Sequence, residues 1–157
     1  MNKLVKKLSI LILVFGTIAF IMGIVFLYEG ASKATFLTSI MKQENIKLSD
    51  LGVTGDKANE IIDSAATAQI AGDTVREHRH AIAPSYTALL GSNRFDPTNP
   101  KDLTYAQAQN LENYLYLAVL SFGVTQIAMA SGGFMVVMAL ALGAIGFVLL
   151  RLSQAMK

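Results

Sequence analysis

The ligating and proton-transferring side chains of this sequence that fall close together are Asp73, Glu77, His78 and His80. Glu77-x-x-His80, with Asp73 one turn earlier, aligns on one helical face and resembles half of a di-iron carboxylate site. Asp73, Glu77 and His80 are therefore the candidate metal ligands, but the second half of such a site is absent. His78 and His80 stand about 200° apart on a helix and cannot chelate one ion there, although an extended backbone would let them. A plainer reading takes Arg76, His78, Arg79 and His80 as a solvated basic last turn, favourable where a helix ends in unsatisfied carbonyls. The expectation is no metal and no cofactor. An extracytoplasmic metal- or ligand-binding module using Asp73, Glu77, His78 and His80 is the alternative.

Other chemistries lack their parts. With no Cys there is no disulfide, thiolate metal site, iron–sulfur cluster or covalent haem attachment. There is no Ser–His–Asp setting and no phosphate-cradling glycine loop, and a net charge of only +2 argues against nucleic acid. The expectation is a non-enzymatic protein.

The elements that would position these residues read as helices. Gly52, Gly55 and Asp56 supply turn and cap chemistry. From Lys57 to Ile82 follows an Ala-rich stretch with Ile61, Ile62, Ala65, Ala66, Gln69 and Ile70 at helical spacing, closed by Pro84. A short helical or turn piece around Ser85 to Leu90 leads into a breaker-rich loop over 91–100. The next helix is predicted to start near Pro100 to Thr104, where Thr104 with Gln107 matches a capping box, and one helix to run from about Leu103 to Leu152. The stretch Thr35 to Leu48 is ambiguous, and no strand pattern stands out.

Composition places the apolar excess of the chain in lipid, because 53% hydrophobic against 15% charged residues is far from a soluble domain. Leu8 to Tyr28 carries no charge, and Leu115 to Leu150 is interrupted only by Ser121, Thr125, Gln126 and Ser131. About 20 apolar residues of helix cross a bilayer, so both runs qualify as spans. The first is read as a retained anchor and not a signal peptide, since its 21 residues exceed an h-region. Neither span holds Lys, Arg, Asp, Glu or His, which removes the usual marks of a proton relay or ion path. Lys3, Lys6, Lys7, Arg151 and Lys157 flank the spans on the terminal side without an acid among them. The intervening segment holds all 11 acids and the other eight basic residues. Both termini are therefore predicted cytoplasmic.

The predicted architecture is an all-α membrane protein: two antiparallel transmembrane helices with a mainly helical extracytoplasmic segment, the second helix projecting beyond the bilayer. The cytoplasmic termini are 1–7 and 151–157. The first span is 8–28, the extracytoplasmic segment 29–102, the projecting part of the long helix 103–128, and the second span 129–150. Residues 29–114 or more lie outside the plasma (inner) membrane. A rival placement puts the outer boundary at Tyr114 and kinks the helix at Ser131-Gly132-Gly133. Gly16, Ala19 and Gly23 share a face of the first span, and Gly132, Ala139, Gly143 and Gly146 a face of the second. Small residues so placed let helices approach closely, first span against second. The apolar stretch Leu115 to Ala128 would not stay in water, so an assembly surface is expected on Leu115, Leu117, Val119, Phe122 and Gln126.

Ile46-Lys47-Leu48-Ser49-Asp50, Ala68-Gln69 before a helix with His78, Ser85-Tyr86-Thr87-Ala88-Leu89, and Ser121-Phe122-Gly123-Val124 complete the pattern. Together they make the chain resemble a family of small two-span bacterial membrane proteins, common in actinobacteria and without an established function. The resemblance covers about Ile46 to Leu142, and this chain is longer and more polar between Gly91 and Leu103. Members sometimes carry a label as aromatic-ring-opening dioxygenases, a chemistry that needs two His and a carboxylate on one open metal position. The functional expectation is an accessory subunit in contact with membrane lipid, assembling with itself or around a larger membrane complex.

Overall fold

The computed structural model describes residues 2–155; Met1, Met156 and Lys157 lie outside them, the last being one of the cations counted on the C-terminal flank. Among the described residues every regular element is helical: α1 (Asn2–Glu44), a 3-10 turn (Leu48–Leu51), α2 (Ala65–Ile82), α3 (Tyr86–Leu90) and α4 (Pro100–Ala155). Helices α1 and α4 are each long and apolar enough to cross a membrane.

No proline interrupts α1, which runs past Tyr28 through the stretch left ambiguous by sequence. It stops at Asn45, whose left-handed φ of 50° turns its N–H onto the Lys42 carbonyl at 3.1 Å. Helix α4 starts at Pro100, the early end of the expected range, and its cap is not the one expected. Asn99 caps it, its side chain accepting from the Lys101 N–H at 3.0 Å, and Pro100 takes the first helical position, where a missing N–H costs nothing. Thr104, expected as the cap, lies inside the helix and donates to the Pro100 carbonyl at 2.7 Å. From there α4 stays helical through Ser131-Gly132-Gly133 to Ala155, 56 residues in all.

The chain divides into two units, Met1–Lys33 with Val124–Lys157, and Ala34–Gly123. In the first, α1 and α4 pair antiparallel along seams of small residues. The buried positions of α1 are Ser9, Gly16, Gly23 and Gly30, and those of α4 are Thr125, Gly132, Ala139, Gly146 and Ser153, each seven residues after the last. A repeat of seven against a natural 3.6 per turn keeps one stripe facing the partner only if the helices supercoil left-handedly. A Cβ on Gly23 would stand 2.8 Å from the Gly132 carbonyl oxygen, and one on Gly132 2.7 Å from that of Gly23. Gly16 meets Ala139, Gly30 meets Thr125 and Met129, and Gly146 meets Leu13, so the register holds along the pair.

Of the small residues singled out by sequence, Gly16, Gly23, Gly132, Ala139 and Gly146 are buried along this seam. Ala19 is only partly buried, and at Gly143 a Cβ would meet open space. The difference is one of period: the seam repeats every seven residues, which brings in Gly30 and leaves Gly143 beside it, its nitrogen 3.5 Å from where a Gly16 Cβ would stand. Only 11% of the most apolar window of either helix is buried, and Phe15, Ile21, Phe134 and Leu140 are each more than half exposed.

The second unit packs α2 against α4 around Leu48, Ile62, Ala68, Ala71, Val75 and Leu115. Gly72 lets the helices close up, since a Cβ there would lie 3.1 Å from the Tyr116 ring. Helix α2 begins eight residues later than the Lys57 start expected. Ser64 caps it, accepting from the Thr67 N–H at 3.2 Å while the Thr67 hydroxyl accepts from the Ser64 N–H at 3.1 Å. Residues 57–63 instead turn back on 46–49, where Ser49 N–H bonds Ala58 O at 2.7 Å and Lys47 bridges Ile61. The helix ends at Ile82, before Ala83-Pro84, and Ser85 caps α3.

Candidate functional site

Helices α2 and α4 meet in a polar cluster that the hydrophobic pattern does not announce. Arg79, in the last turn of α2, has a side chain only 11% exposed. Its Nε donates to Glu112 Oε2 at 2.6 Å and its Nη2 to Oε1 at 3.4 Å, a two-pronged pairing with a carboxylate that is 10% exposed. Its Nη1 donates to the hydroxyl of Tyr105, which is fully buried, and the guanidinium carbon lies 5.0 Å from the centre of that ring. Nη2 also approaches His80 Nε2 at 3.2 Å, a contact that needs the neutral imidazole as acceptor. The hydrogen bond from Arg79 to Glu112 raises the guanidinium pKa above its already high value, so the guanidinium stays charged.

One and two turns toward the start of α2 the pattern changes sign. The Tyr116 hydroxyl donates to Asp73 Oδ1 at 2.7 Å, and Gln69 donates to Oδ2 at 3.0 Å. These two hydrogen bonds, Gln69 first, hold the Asp73 carboxyl below its ordinary value, with Arg76 adding attraction at 3.9 Å. Burial chiefly, and then the Asp73 bond, pushes the Tyr116 phenol upward. The Tyr116–Asp73 bond ties α2 to α4, as the Arg79–Glu112 pair does nearer the end of α2.

The sequence-predicted ligands therefore go to separate partners. Asp73 binds Tyr116 and Gln69, Glu77 is exposed, His80 sits beside a guanidinium, and His78 packs against Gly52. Among the described residues no group of three His, Cys, Asp or Glu side chains is arranged to hold a metal. The basic last turn is solvated at Arg76 and His78 but not at Arg79, which a buried carboxylate on α4 has drawn inward. The signal that could have identified that partner is spacing: Tyr105 and Glu112 are seven apart, like the seam residues further along α4.

The predicted assembly surface divides in two. Leu115 and Phe122 are each 7% exposed and Val119 packs on the core, so these three serve the fold. Leu117 is 55% exposed and Gln126 is exposed, and Leu120, not singled out by the sequence reading, is 63% exposed on the side of Leu117. The second unit also holds an apolar pocket of about 190 Å³ between the end of α1, the 46–62 segment and α4.

Comparison with protein-family models, curated proteins and solved structures finds no match to this chain.

Proposed function

We propose a non-enzymatic accessory subunit of the plasma (inner) membrane, in which α1 and α4 span the bilayer as an antiparallel pair, both termini are cytoplasmic and Ala34–Gly123 lies outside. The register of the pair supports the placement. Lys7 on α1 comes level with Arg151 on α4, and Glu29, beside Gly30, comes level with Met129. The 22 helical steps from Lys7 to Glu29 rise about 33 Å, close to the thickness of the hydrocarbon core. Side chains as exposed as Phe15 and Phe134 suit lipid and not water. The resemblance to two-span bacterial proteins accords with this layout.

The role rests on one observation: in the outer unit Leu117 and Leu120 stay 55% and 63% exposed after the opposite face of α4 has packed on its own core. That face suits a second copy of the chain or a larger membrane complex, and the Arg79–Glu112 and Asp73–Tyr116 contacts hold it rigid. Mass measurement after extraction in mild detergent tests the reading. An oligomer or larger complex is the expected result, and a lone monomer contradicts it.

A further inference from the structure

The apolar pocket of the outer unit has one charged residue, at its rim. Met41, Ile62, Leu115 and Ala118 supply its floor and sides, and Tyr114, 71% exposed, stands at its mouth. The charge is Glu44, the last residue of α1. None of the ion pairs among the described residues involves it, and Lys42, on the same turn, is taken by Asp63 at 3.3 Å. The last carbonyls of α1 add a second source of negative potential at the same place, because a helix C-terminus carries a partial negative charge.

A dry apolar cavity of about 150 Å³ accommodates a benzene-sized group, and this pocket holds about 190 Å³. We infer that it is a binding site for a small organic cation, an apolar group of about ring size that fills the cavity and carries an ammonium placed to meet Glu44. Burial of the ring supplies the driving force. The carboxylate and the helix end select positive charge at the mouth. A neutral compound of the same shape gains only the first contribution, and an anion meets Glu44 as a like charge.

The test uses the full-length protein in nanodiscs of zwitterionic lipid, which avoids detergent competing for the cavity. Three probes of one shape are titrated by calorimetry against empty discs: 2-phenylethylammonium, 2-phenylethanol and phenylacetate. The ammonium should bind roughly fivefold tighter than the alcohol, the upper range for a solvent-accessible ion pair, and phenylacetate should be the weakest. Glu44→Gln should bring the ammonium down to the alcohol and leave the alcohol unchanged. Ala118→Phe should remove binding of both by filling the cavity. Should Ala118→Phe lower the helical circular dichroism, Leu111→Trp closes the mouth from a position already 36% exposed and reads the same effect. The inference is overturned by no saturable binding above empty discs, by equal affinity for ammonium and alcohol, by a preference that survives Glu44→Gln, or by binding that survives a filled cavity.

Discussion

Gly132 and Gly133 are chain neighbours with opposite surroundings, and they separate close helix packing from the mere frequency of glycine in apolar helices. A Cβ on Gly132 would stand 2.7 Å from the Gly23 carbonyl oxygen and 2.8 Å from the Leu27 nitrogen, both backbone atoms, whereas one on Gly133 would meet nothing within 4 Å. Reaching ordinary contact at 3.4 Å means moving the helices apart by about 0.7 Å. A gap of that size forfeits a quarter to a half of the dispersion energy along the opened seam. Overpacking of this kind costs about 1–3 kcal/mol, set against up to about 1 kcal/mol gained because alanine favours helix over glycine. Gly132→Ala should therefore destabilise the pair by about 1–2 kcal/mol, while Gly133→Ala is neutral or stabilising by up to about 1 kcal/mol. Because the chain has no cysteine, dyes can be placed on Leu4→Cys and Leu152→Cys, both on exposed positions near the paired ends. Loss of energy transfer during titration with a denaturing detergent reports separation of the helices. Equal shifts for the two alanine variants would refute the packing argument. Gly23→Ala combined with Gly132→Ala should cost less than the sum, since both open the same gap.

Glu112→Ala strands the Arg79 guanidinium in a buried site and should cost about 3–5 kcal/mol, measured by denaturant unfolding followed through tyrosine near-ultraviolet circular dichroism. Adding Arg79→Met should recover part of that loss. Asp73 is held below its ordinary pKa in the folded chain, so its stabilising contribution is complete above about pH 4 and disappears as pH falls further through the folded value. Melting temperature against pH should show this acid slope, and Asp73→Asn should flatten it. Ser64→Ala removes the cap of α2 and one side of its exchange with Thr67, for an expected loss of about 0.5–2 kcal/mol in the same unfolding assay.

The two long helices were legible because charge is absent from 8–28 and sparse polarity marks 115–150, patterns that survive without knowledge of any partner. The period of their contact was less so. Gly16 and Gly23 were visible as a pair, but the repeat of seven shows only when Ser9 and Gly30 are added, and serine and glycine are individually unremarkable in such helices. Caps differed from expectation where two signals competed, and at α2 the start moved with the cap. Asn99-Pro100 took precedence over Thr104-Gln107 because proline suits a first turn, and Ser64-Thr67 over Asp56 because 57–63 is held by bonds to 46–49. Arg79 was read as a surface cation since its partner Glu112 lies 33 residues away, and pairings at that separation leave no local trace. Leu115 and Leu117 are equally apolar as letters. Only the position of α2 decides that one is core and the other surface.

The most direct test of the assembly role is photo-crosslinking in intact cells from position 120, with position 57 on the exposed polar turn as control. A probe replacing Leu120 should give a defined protein adduct, either a second copy of the chain or a larger membrane protein, and a probe replacing Lys57 should not. Adducts from position 120 to lipid alone, or none above the level at position 57, would contradict the account.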